Sequence, residues 1–218
     1  MTSDFPRIAA IDCGTNSTRL LIAQQTDDTQ YEVLNRRQEV TRLGQGVDSS
    51  KLLSTEAIDR VLATLLSFNE DLERADIQKI RIISTSAVRD AANRHVFLEA
   101  AQNVIGCEVE LISGQEEAEL SFLGATYGIE VQAPYLVFDL GGGSTEFAYG
   151  NNECEQFFSA DMGCVRITEK FIHSDPPLPE ELSAALSLIE LHLIDGRVSR
   201  HSGPFLVCVL LRYTMYWY

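Results

Sequence analysis

Residues 12–19 read DCGTNSTR and residues 139–146 read DLGGGSTE, so one motif occurs twice with an offset of 127 residues. Asp, Gly, Ser and Thr occupy the same positions in both copies. In each copy the turn-forming residues lie between two apolar runs, which predicts a strand, a tight turn and a second strand. IRIIST begins at Ile80, and the position 127 residues later is Val207, within FLVCVLL, residues 205–211. The chain is therefore predicted to contain an internal repeat.

The patterning around both motifs predicts an α/β protein with two βββαβ units in register. The first unit has predicted strands at 7–13, 18–25, 31–42, 80–85 and 107–113 and helices at 54–74, within 86–106 and at 114–128. The second has a strand–turn–strand at 136–150, a strand at 155–163, a helix at 176–196 and a strand at 205–211. Because IRIIST is rich in isoleucine, it is predicted to be a strand buried on both faces. We place the domains at 1–130 and 131–218.

Composition narrows the range of partners and compartments. The net charge of −15 argues against non-specific nucleic-acid binding, which needs a basic surface. The five cysteines include no C-x-x-C pair, so zinc and disulfides are poorly supported and a reducing, cytoplasmic location is expected. The N-terminus does not read as a signal peptide, and the longest apolar run near the C-terminus is far shorter than the roughly 20 residues of a membrane span. We expect no membrane partner.

Both motifs carry the residue types of a phosphate site. Glycine lets the backbone approach an anion closely, and turn N–H groups with nearby hydroxyls can cradle it. The candidate phosphate-binding residues are Gly14, Thr15, Asn16, Ser17, Gly141, Gly142, Gly143, Ser144 and Thr145. Asp12 and Asp139, each at a strand end, suit Mg²⁺. The pattern is not a Walker loop, and one such turn alone is more often purely structural.

Four ordered segments resemble the exopolyphosphatase/guanosine pentaphosphate phosphohydrolase (Ppx/GppA) family: IAAIDCGTNSTRLLIA, IISTSAVRDAAN, LISGQEEAELSFLGA and LVFDLGGGSTEFAYG. The similarity covers most of residues 7–170, and DMGCVRITEKF extends it. The resemblance implies a duplicated actin-like ATPase/ribonuclease H-like superfold with βββαβαβα repeats. It also implies Mg²⁺ dependence and release of terminal phosphate from polyphosphate or guanosine pentaphosphate.

The resemblance also suggests roles for individual residues. Glu117 is expected to be the general base that orients water, with Glu116 as the alternate. Without the resemblance, both glutamates would be read as a charged first helical turn. Arg89 is expected to contact phosphate oxygens, and a surface ion pair is its alternative. Glu146 is a candidate second metal ligand at the position where the first repeat has Arg19, and a structural salt bridge is an equal reading for both.

The sequence differs from the family pattern at the C-terminus. Family members continue beyond the strand matching FLVCVLL, whereas residues 212–218 here read RYTMYWY. We therefore expect an incomplete second domain with an atypical tail from about residue 200, marginal stability beyond about residue 135 and a homodimer as a further option. Two other functions stay open: a non-catalytic phosphate-binding or degenerate member, and an ATPase or kinase of the same superfold.

Overall fold

The chain forms two compact units, Met1–Ile112 and Ser113–Tyr218. The computed structural model describes residues 5–27, 30–129, 134–195 and 206–211. Within these residues, each unit is built on one mixed β-sheet flanked by helices, with five strands in the first sheet and four in the second. The predicted α/β class is confirmed. No helix in the described part of the chain is both long and apolar enough to span a membrane.

The first unit has an antiparallel meander extended by parallel strands. Its elements are β1 (Arg7–Cys13), β2 (Thr18–Gln25), β3 (Tyr31–Glu39), α1 (Val47–Ser50), α2 (Thr55–Ala75), β4 (Lys79–Ser84), α3 (Ser86–Asp90), α4 (Arg94–Ile105) and β5 (Val109–Leu111). The sheet order is β3-β2-β1-β4-β5, with β1–β2 antiparallel and β1–β4 parallel. Helix α2 joins β1–β3 to β4, as a parallel pairing requires a crossover.

Helix α2 supplies much of the first unit's core. Its N-terminus is capped by Ser54, whose hydroxyl accepts the Ala57 N–H at 3.2 Å. The buried side chains that it contributes recur every three or four residues: Ile58, Val61, Leu65, Phe68 and Leu72. They pack with apolar residues of β1, β2 and β4 in one cluster. The predicted helix at 54–74 is therefore present and buries most of the face that its periodicity indicates, although Leu66 is exposed.

The second unit repeats the meander and its parallel neighbour. Its elements are α5 (Gly114–Thr126), β6 (Tyr135–Leu140), β7 (Thr145–Gly150), β8 (Cys154–Ala160), α6 (Cys164–Phe171), α7 (Pro179–Asp195) and β9 (Leu206–Leu211). The sheet order is β8-β7-β6-β9. Buried residues of α5 and of the central strands form its core: Ala118, Phe122, Tyr135, Val137 and Ala148.

The registers of the two sheets confirm the repeat residue by residue. Asp12 lies opposite Arg19 on β2 and beside Ile83 on β4. Asp139 lies opposite Glu146 on β7 and beside Leu210 on β9. All three positions of the second set follow the first by the same offset of 127 residues. The repeat therefore extends from sequence to strand pairing.

The structure differs from the sequence predictions at several places. Helix α5 packs on the second sheet, so the chain divides after Ile112 rather than at the expected 130–131. Strand β3 ends at Glu39, although the prediction ran to residue 42. Helix α6 was not predicted at all. The tail residues 212–218 lie outside the described residues.

Candidate active site

The two glycine-rich turns have the same backbone geometry. In the first, the Gly14 N–H donates to the Ser17 carbonyl at 3.1 Å, and in the second the Gly141 N–H donates to the Ser144 carbonyl at 3.0 Å. Of the other predicted phosphate residues, Asn16 is half-buried and the rest are buried: Thr15, Gly142, Gly143 and Thr145. The Thr145 hydroxyl donates to the Met162 carbonyl at 3.1 Å, so its hydrogen is already used in a bond within the protein.

The carbonyl groups of the first turn are bonded by the segment that follows β3. The Arg42 N–H donates to the Asn16 carbonyl at 2.9 Å, and the Gly44 N–H donates to the Thr15 carbonyl at 2.8 Å. Gly44 has to be glycine because a Cβ there would overlap the Thr15 side chain. Arg42 has a φ of 50°, which non-glycine residues rarely adopt, and Arg60 Nη2 donates to its carbonyl at 3.3 Å. The segment thus fixes the turn from its carbonyl side.

The N-terminus of α6 bonds the carbonyl groups of the second turn in the same way. The donor–acceptor pairs are Gly163 N–H to Gly143 O (3.1 Å), Cys164 N–H to Gly141 O (2.9 Å), Val165 N–H to Gly142 O (2.9 Å) and Arg166 N–H to Gly142 O (3.1 Å). A Cβ on Gly163 would overlap the backbone of Gly142 and Gly143. Only glycine allows this approach of α6 to the turn.

The N–H groups of both turns are left for a ligand. Within the described residues, the N–H groups of Thr15, Asn16, Gly142 and Gly143 have no backbone acceptor. Successive peptide N–H groups in a turn form a concave, positively polarised surface that binds anions. The carbonyl groups of the turns accept hydrogen bonds from the protein, whereas these N–H groups have no backbone acceptor. This is the pattern expected of a phosphate-binding turn.

Asp12 is neutralised within its own hairpin. Its Oδ2 lies 3.2 Å from Arg19 Nη1, and both side chains are at least nine-tenths buried. Arg19 Nε also donates to Gln38 Oε1 at 3.1 Å. Of the roles that the sequence left open for Arg19, the structure favours the structural ion pair. Burial, with a smaller contribution from the Asp12 charge, raises the pKa of the neighbouring Cys13 thiol well above its usual value, so Cys13 is protonated at neutral pH.

Asp139 has a carboxylate opposite it instead of an arginine. Its cross-strand partner is Glu146, and the two residues expose 0% and 1% of their surface. Each carboxylate accepts a hydrogen bond from a serine hydroxyl: Asp139 Oδ2 from Ser121 at 2.5 Å, and Glu146 Oε1 from Ser159 at 2.9 Å. Like charges directly opposite each other across a hairpin are destabilising, so a cation bound by this pair would be stabilising.

Helix α5 positions Glu117 near this carboxylate pair. Ser113 caps the helix by accepting the Glu116 N–H at 3.1 Å. Glu117 is completely buried, whereas Glu116 is only half-buried. Glu117 and Ser121 are four residues apart and so lie on the same helix face, one turn from each other. Because Ser121 donates to Asp139, that face of α5 is directed at the Asp139 end of β6.

Arg89 and Thr85 lie at the end of β4, beside the first turn. Arg89 is half-buried on α3, and its Nη1 donates to the Ile112 carbonyl at 2.9 Å. The Ser84 hydroxyl donates to the Cys13 carbonyl at 3.1 Å, which fastens β4 to the base of the turn. Thr85 is 1% exposed, and its hydroxyl has no hydrogen-bond partner among the described residues. A buried hydroxyl in this state is suited to a ligand oxygen.

The candidate metal ligands are divided between the two units. The described residues contain no group of three or more His, Cys, Asp or Glu side chains arranged to hold a metal ion. Asp139 and Glu146 are brought together as a pair in the second unit, whereas Asp12 belongs to the first unit and is paired with Arg19. Any metal ion held by the pair would need further oxygen ligands from phosphate or water.

Sequence reasoning missed the residues that hold the site in place. They are Ser121, Ser159 and Arg166. It also missed Thr85, whose buried hydroxyl has no hydrogen-bond partner among the described residues. Ser121 could have been found, because it follows Glu117 at helical spacing. Ser159 and Arg166 act through contacts distant in sequence, with Glu146 and with Gly143, and no local pattern marks them.

The chain is similar in sequence to several known proteins. The model of the Ppx/GppA phosphatase family matches residues 21–199. Over 196 residues the chain is 44% identical to exopolyphosphatase 2 of Mycobacterium tuberculosis, covering 86% of this chain and 61% of that protein. Over 172 residues it is 38% identical to a bifunctional 3-dehydroquinate synthase/phosphatase of Fusobacterium nucleatum, covering 75% of this chain and 26% of that protein. The chain thus spans less than two thirds of these relatives.

Solved structures give the same result. A crystal structure of an exopolyphosphatase-like protein matches with a TM-score of 0.87 and 36% identity, over 93% of this chain and 64% of that one. An exopolyphosphatase from Cytophaga hutchinsonii matches with a TM-score of 0.81 and 31% identity, over 87% and 61%. The Ppx/GppA enzyme of Aquifex aeolicus matches with a TM-score of 0.71 and 30% identity, over 88% and 64%. The chain therefore belongs to the Ppx/GppA phosphatase family and has the duplicated α/β fold of its solved members.

Proposed function

We propose that this chain carries the site of a Mg²⁺-dependent phosphohydrolase that releases terminal phosphate from inorganic polyphosphate. The observation that carries the proposal lies in the second unit. There the triple-glycine turn adjoins the buried pair Asp139 and Glu146, and α5 directs the face bearing Glu117 at Asp139. A phosphate cradle, a carboxylate pair suited to a hard cation and a buried carboxylate base are the parts that phosphoanhydride hydrolysis needs.

The chemistry of the carboxylate pair fits Mg²⁺. Asp139 and Glu146 offer oxygen ligands, which a hard cation prefers, and their like charges are buried opposite each other. Asp12 differs because its Oδ2 is already paired with Arg19, so that only its buried Oδ1 has no hydrogen-bond partner among the described residues. We therefore assign the cation to Asp139 and Glu146 and give Asp12 a role in holding the first turn. Bound Mg²⁺ would neutralise phosphate oxygens and polarise the terminal phosphorus.

The chain's own residues would bind and orient the reactants. In the second unit, the N–H groups of Gly142 and Gly143 would hold phosphate oxygens. In the first unit, the turn at Thr15 and Asn16 offers N–H groups of the same kind. Glu117 would orient the attacking water and accept its proton. Its complete burial on α5 keeps bulk water away from the carboxylate. In the first unit, Arg89 would offer its guanidinium to phosphate oxygens in addition to its bond to a backbone carbonyl.

The substrate is proposed from the relatives. Two of them are named exopolyphosphatases, and both are longer than this chain. Inorganic polyphosphate is accordingly the first substrate to test, and guanosine pentaphosphate, to which the family name also refers, is the second. The expected cytoplasmic location and homodimer stay predictions.

Phosphate release by the purified chain tests the proposal. It should be measured with polyphosphate, guanosine pentaphosphate and ATP, each with Mg²⁺ and with EDTA, beside the Glu117→Gln variant. We expect Mg²⁺-dependent release that is faster from polyphosphate than from ATP and that is lost in the variant. Faster release from ATP would favour the ATPase or kinase alternative. Polyphosphate binding with no release above the variant would favour the non-catalytic alternative.

A further inference from the structure

An arginine lies directly on the carbonyl side of the triple-glycine turn. Arg166, the third residue of α6, donates its Nε to the Gly143 carbonyl at 2.8 Å. Its backbone N–H donates to the Gly142 carbonyl at 3.1 Å. The side chain is only 12% exposed, and its Nη2 lies 3.8 Å from Asp161 Oδ1. Arg166 therefore bonds two consecutive peptide groups of the turn with two different donors.

Helix α6 depends on the turn for its own N-terminus. The first N–H groups of a helix lack intrahelical acceptors and are usually capped by a side chain. Here the N-cap residue is Gly163, which has no side chain to do so, and the glycine carbonyls accept these N–H groups instead. None of the helix residues is fully buried. The attachment of α6 to the turn is therefore mainly polar.

We propose that Arg166 is a positioning residue that aims the N–H groups of the second turn at phosphate; this rests on the proposed function. The peptide group is planar and trans, so fixing the carbonyl of one residue also fixes the N–H of the next, pointing the opposite way. The bond from Arg166 to Gly143 thus orients the N–H of Ser144, and its bond to Gly142 orients the N–H of Gly143.

Glycine makes such fixing necessary. Three consecutive glycines leave the peptide groups between them free to rotate, because no Cβ restricts their dihedral angles. An unrestrained turn would have to order its N–H groups each time that phosphate binds, which weakens binding. Bonds to the three carbonyls remove that freedom in advance. The donor to the Gly143 carbonyl is Nε of the guanidinium. The side chain therefore acts by fixing the geometry of the turn.

Three variants and a control separate positioning from general charge. Arg166→Met removes the guanidinium, and Arg166→Lys keeps the charge but has a methylene where Nε donates. Gly163→Ala disturbs the contact between α6 and the turn through the backbone, because a Cβ there would overlap Gly142 and Gly143. Arg7→Met is the control: Arg7 Nη1 also donates to a backbone carbonyl, that of Ala75 at 2.8 Å, at the opposite end of β1 from the first turn.

Amide hydrogen exchange of the full chain without ligand measures the contact itself. We expect exchange of the amides at 163–166 to be about tenfold faster in all three variants at the contact, as for loss of one charge-assisted hydrogen bond. The Arg7→Met control should leave those amides unchanged. Unchanged exchange at 163–166 in Arg166→Met, or faster exchange across the whole chain, would overturn the positioning role. This readout holds whether or not the chain binds phosphate.

Calorimetric titration with tripolyphosphate and Mg²⁺ measures the consequence. We expect affinity to fall about tenfold in both Arg166→Met and Arg166→Lys, and to be unchanged in Arg7→Met. Full affinity in Arg166→Lys would show that the residue acts by its charge and would overturn the proposal. A wild-type chain that binds no tripolyphosphate would refute the proposed function, and the exchange measurement would then decide the positioning role alone.

Discussion

Asp12 and Asp139 occupy the same position in the two repeats, but the residues opposite them carry opposite charges. Arg19 forms a buried ion pair with Asp12 at 3.2 Å, whereas Asp139 lies opposite the buried Glu146. The first hairpin thus sets opposite charges side by side, although the buried Asp12 Oδ1 has no hydrogen-bond partner among the described residues. The second hairpin sets two buried carboxylates at opposed positions, an arrangement that a divalent cation would stabilise. We therefore propose that the cation binds in the second unit.

The first prediction concerns Glu146→Gln. Without Mg²⁺ the variant should be more stable than wild type by roughly 0.5–1 kcal/mol, because an opposed like-charge pair is removed. With Mg²⁺ at about a hundredfold excess over its dissociation constant, wild type should gain about 2.7 kcal/mol and the variant much less. Thermal unfolding with increasing Mg²⁺ measures both effects.

Asp12→Asn provides the matched control at the equivalent position. It breaks a buried ion pair and leaves Arg19 without its carboxylate, which should cost on the order of 3 kcal/mol. Added Mg²⁺ should stabilise this variant as much as it stabilises wild type. Equal Mg²⁺ stabilisation of Glu146→Gln, or loss of it in Asp12→Asn, would contradict the assignment of the cation to the second hairpin.

The second prediction separates two adjacent glutamates. Glu117→Gln should lower kcat by about 10²–10⁴-fold with little change in KM, because a general base acts in the chemical step. Glu116→Gln should change kcat by less than tenfold, because Glu116 is half-buried on the neighbouring helix face while Glu117 is fully buried. Steady-state phosphate release decides the matter. A large loss in Glu116→Gln together with normal turnover in Glu117→Gln would show that the base is misassigned.

At the level of secondary structure, helix α5 connects the proposed base with the carboxylate pair. It carries Glu117 and Ser121 on one face, and its N-terminus is capped by Ser113. Helix α2 offers a comparison, because Ser54 caps it in the same manner and it packs in the core of the first unit. The two helices thus have serine caps of the same kind, but α2 packs in a core whereas α5 carries candidate site residues.

The third prediction uses this pair of caps. Ser113→Ala and Ser54→Ala should each lower the free energy of unfolding by about 1 kcal/mol, as measured by urea denaturation. Only Ser113→Ala should also weaken Mg²⁺ binding, because α5 carries the serine that donates to Asp139. Weaker Mg²⁺ binding in Ser54→Ala to the same degree would show that the effect reflects general destabilisation.

The elements also show what could be read from the sequence. The strand–turn–strand motifs and α2 were predicted because turn residues and apolar periodicity are local signals. Helix α6 was missed for a physical reason. It is only eight residues long and has glycine at its N-cap, and its N-terminus is capped by glycine carbonyls about 20 residues earlier in the chain, which no local rule detects.

The candidate site was predictable in its parts rather than in their arrangement. The sequence repeat identified both turns, and the resemblance indicated Glu117. The arrangement follows from contacts between distant residues, such as Ser121 with Asp139 and Arg166 with Gly143. The three predicted metal ligands, Asp12, Asp139 and Glu146, belong to two different units, so their joint role stays a prediction.

For the whole molecule, charge sets the conditions for binding a polyanion. The chain has a net charge of −15, so long-range electrostatics oppose the approach of polyphosphate. Local groups have to overcome this repulsion: the turn N–H groups, a bound cation and a few arginines. Binding of a short polyphosphate is therefore expected to depend on the divalent cation and on the residues that hold it.

The most direct test is calorimetric titration of the chain with tripolyphosphate, with Mg²⁺ and with EDTA, in wild type and in Asp139→Asn. Asparagine keeps the volume of Asp139 and can still accept the Ser121 hydroxyl, but it removes the carboxylate charge. Wild type should bind with Mg²⁺ and lose at least tenfold in affinity with EDTA, and Asp139→Asn should bind weakly in both. Equal binding by wild type with and without Mg²⁺, and by Asp139→Asn, would show that the carboxylate pair beside the glycine turn does not hold the cation for phosphate.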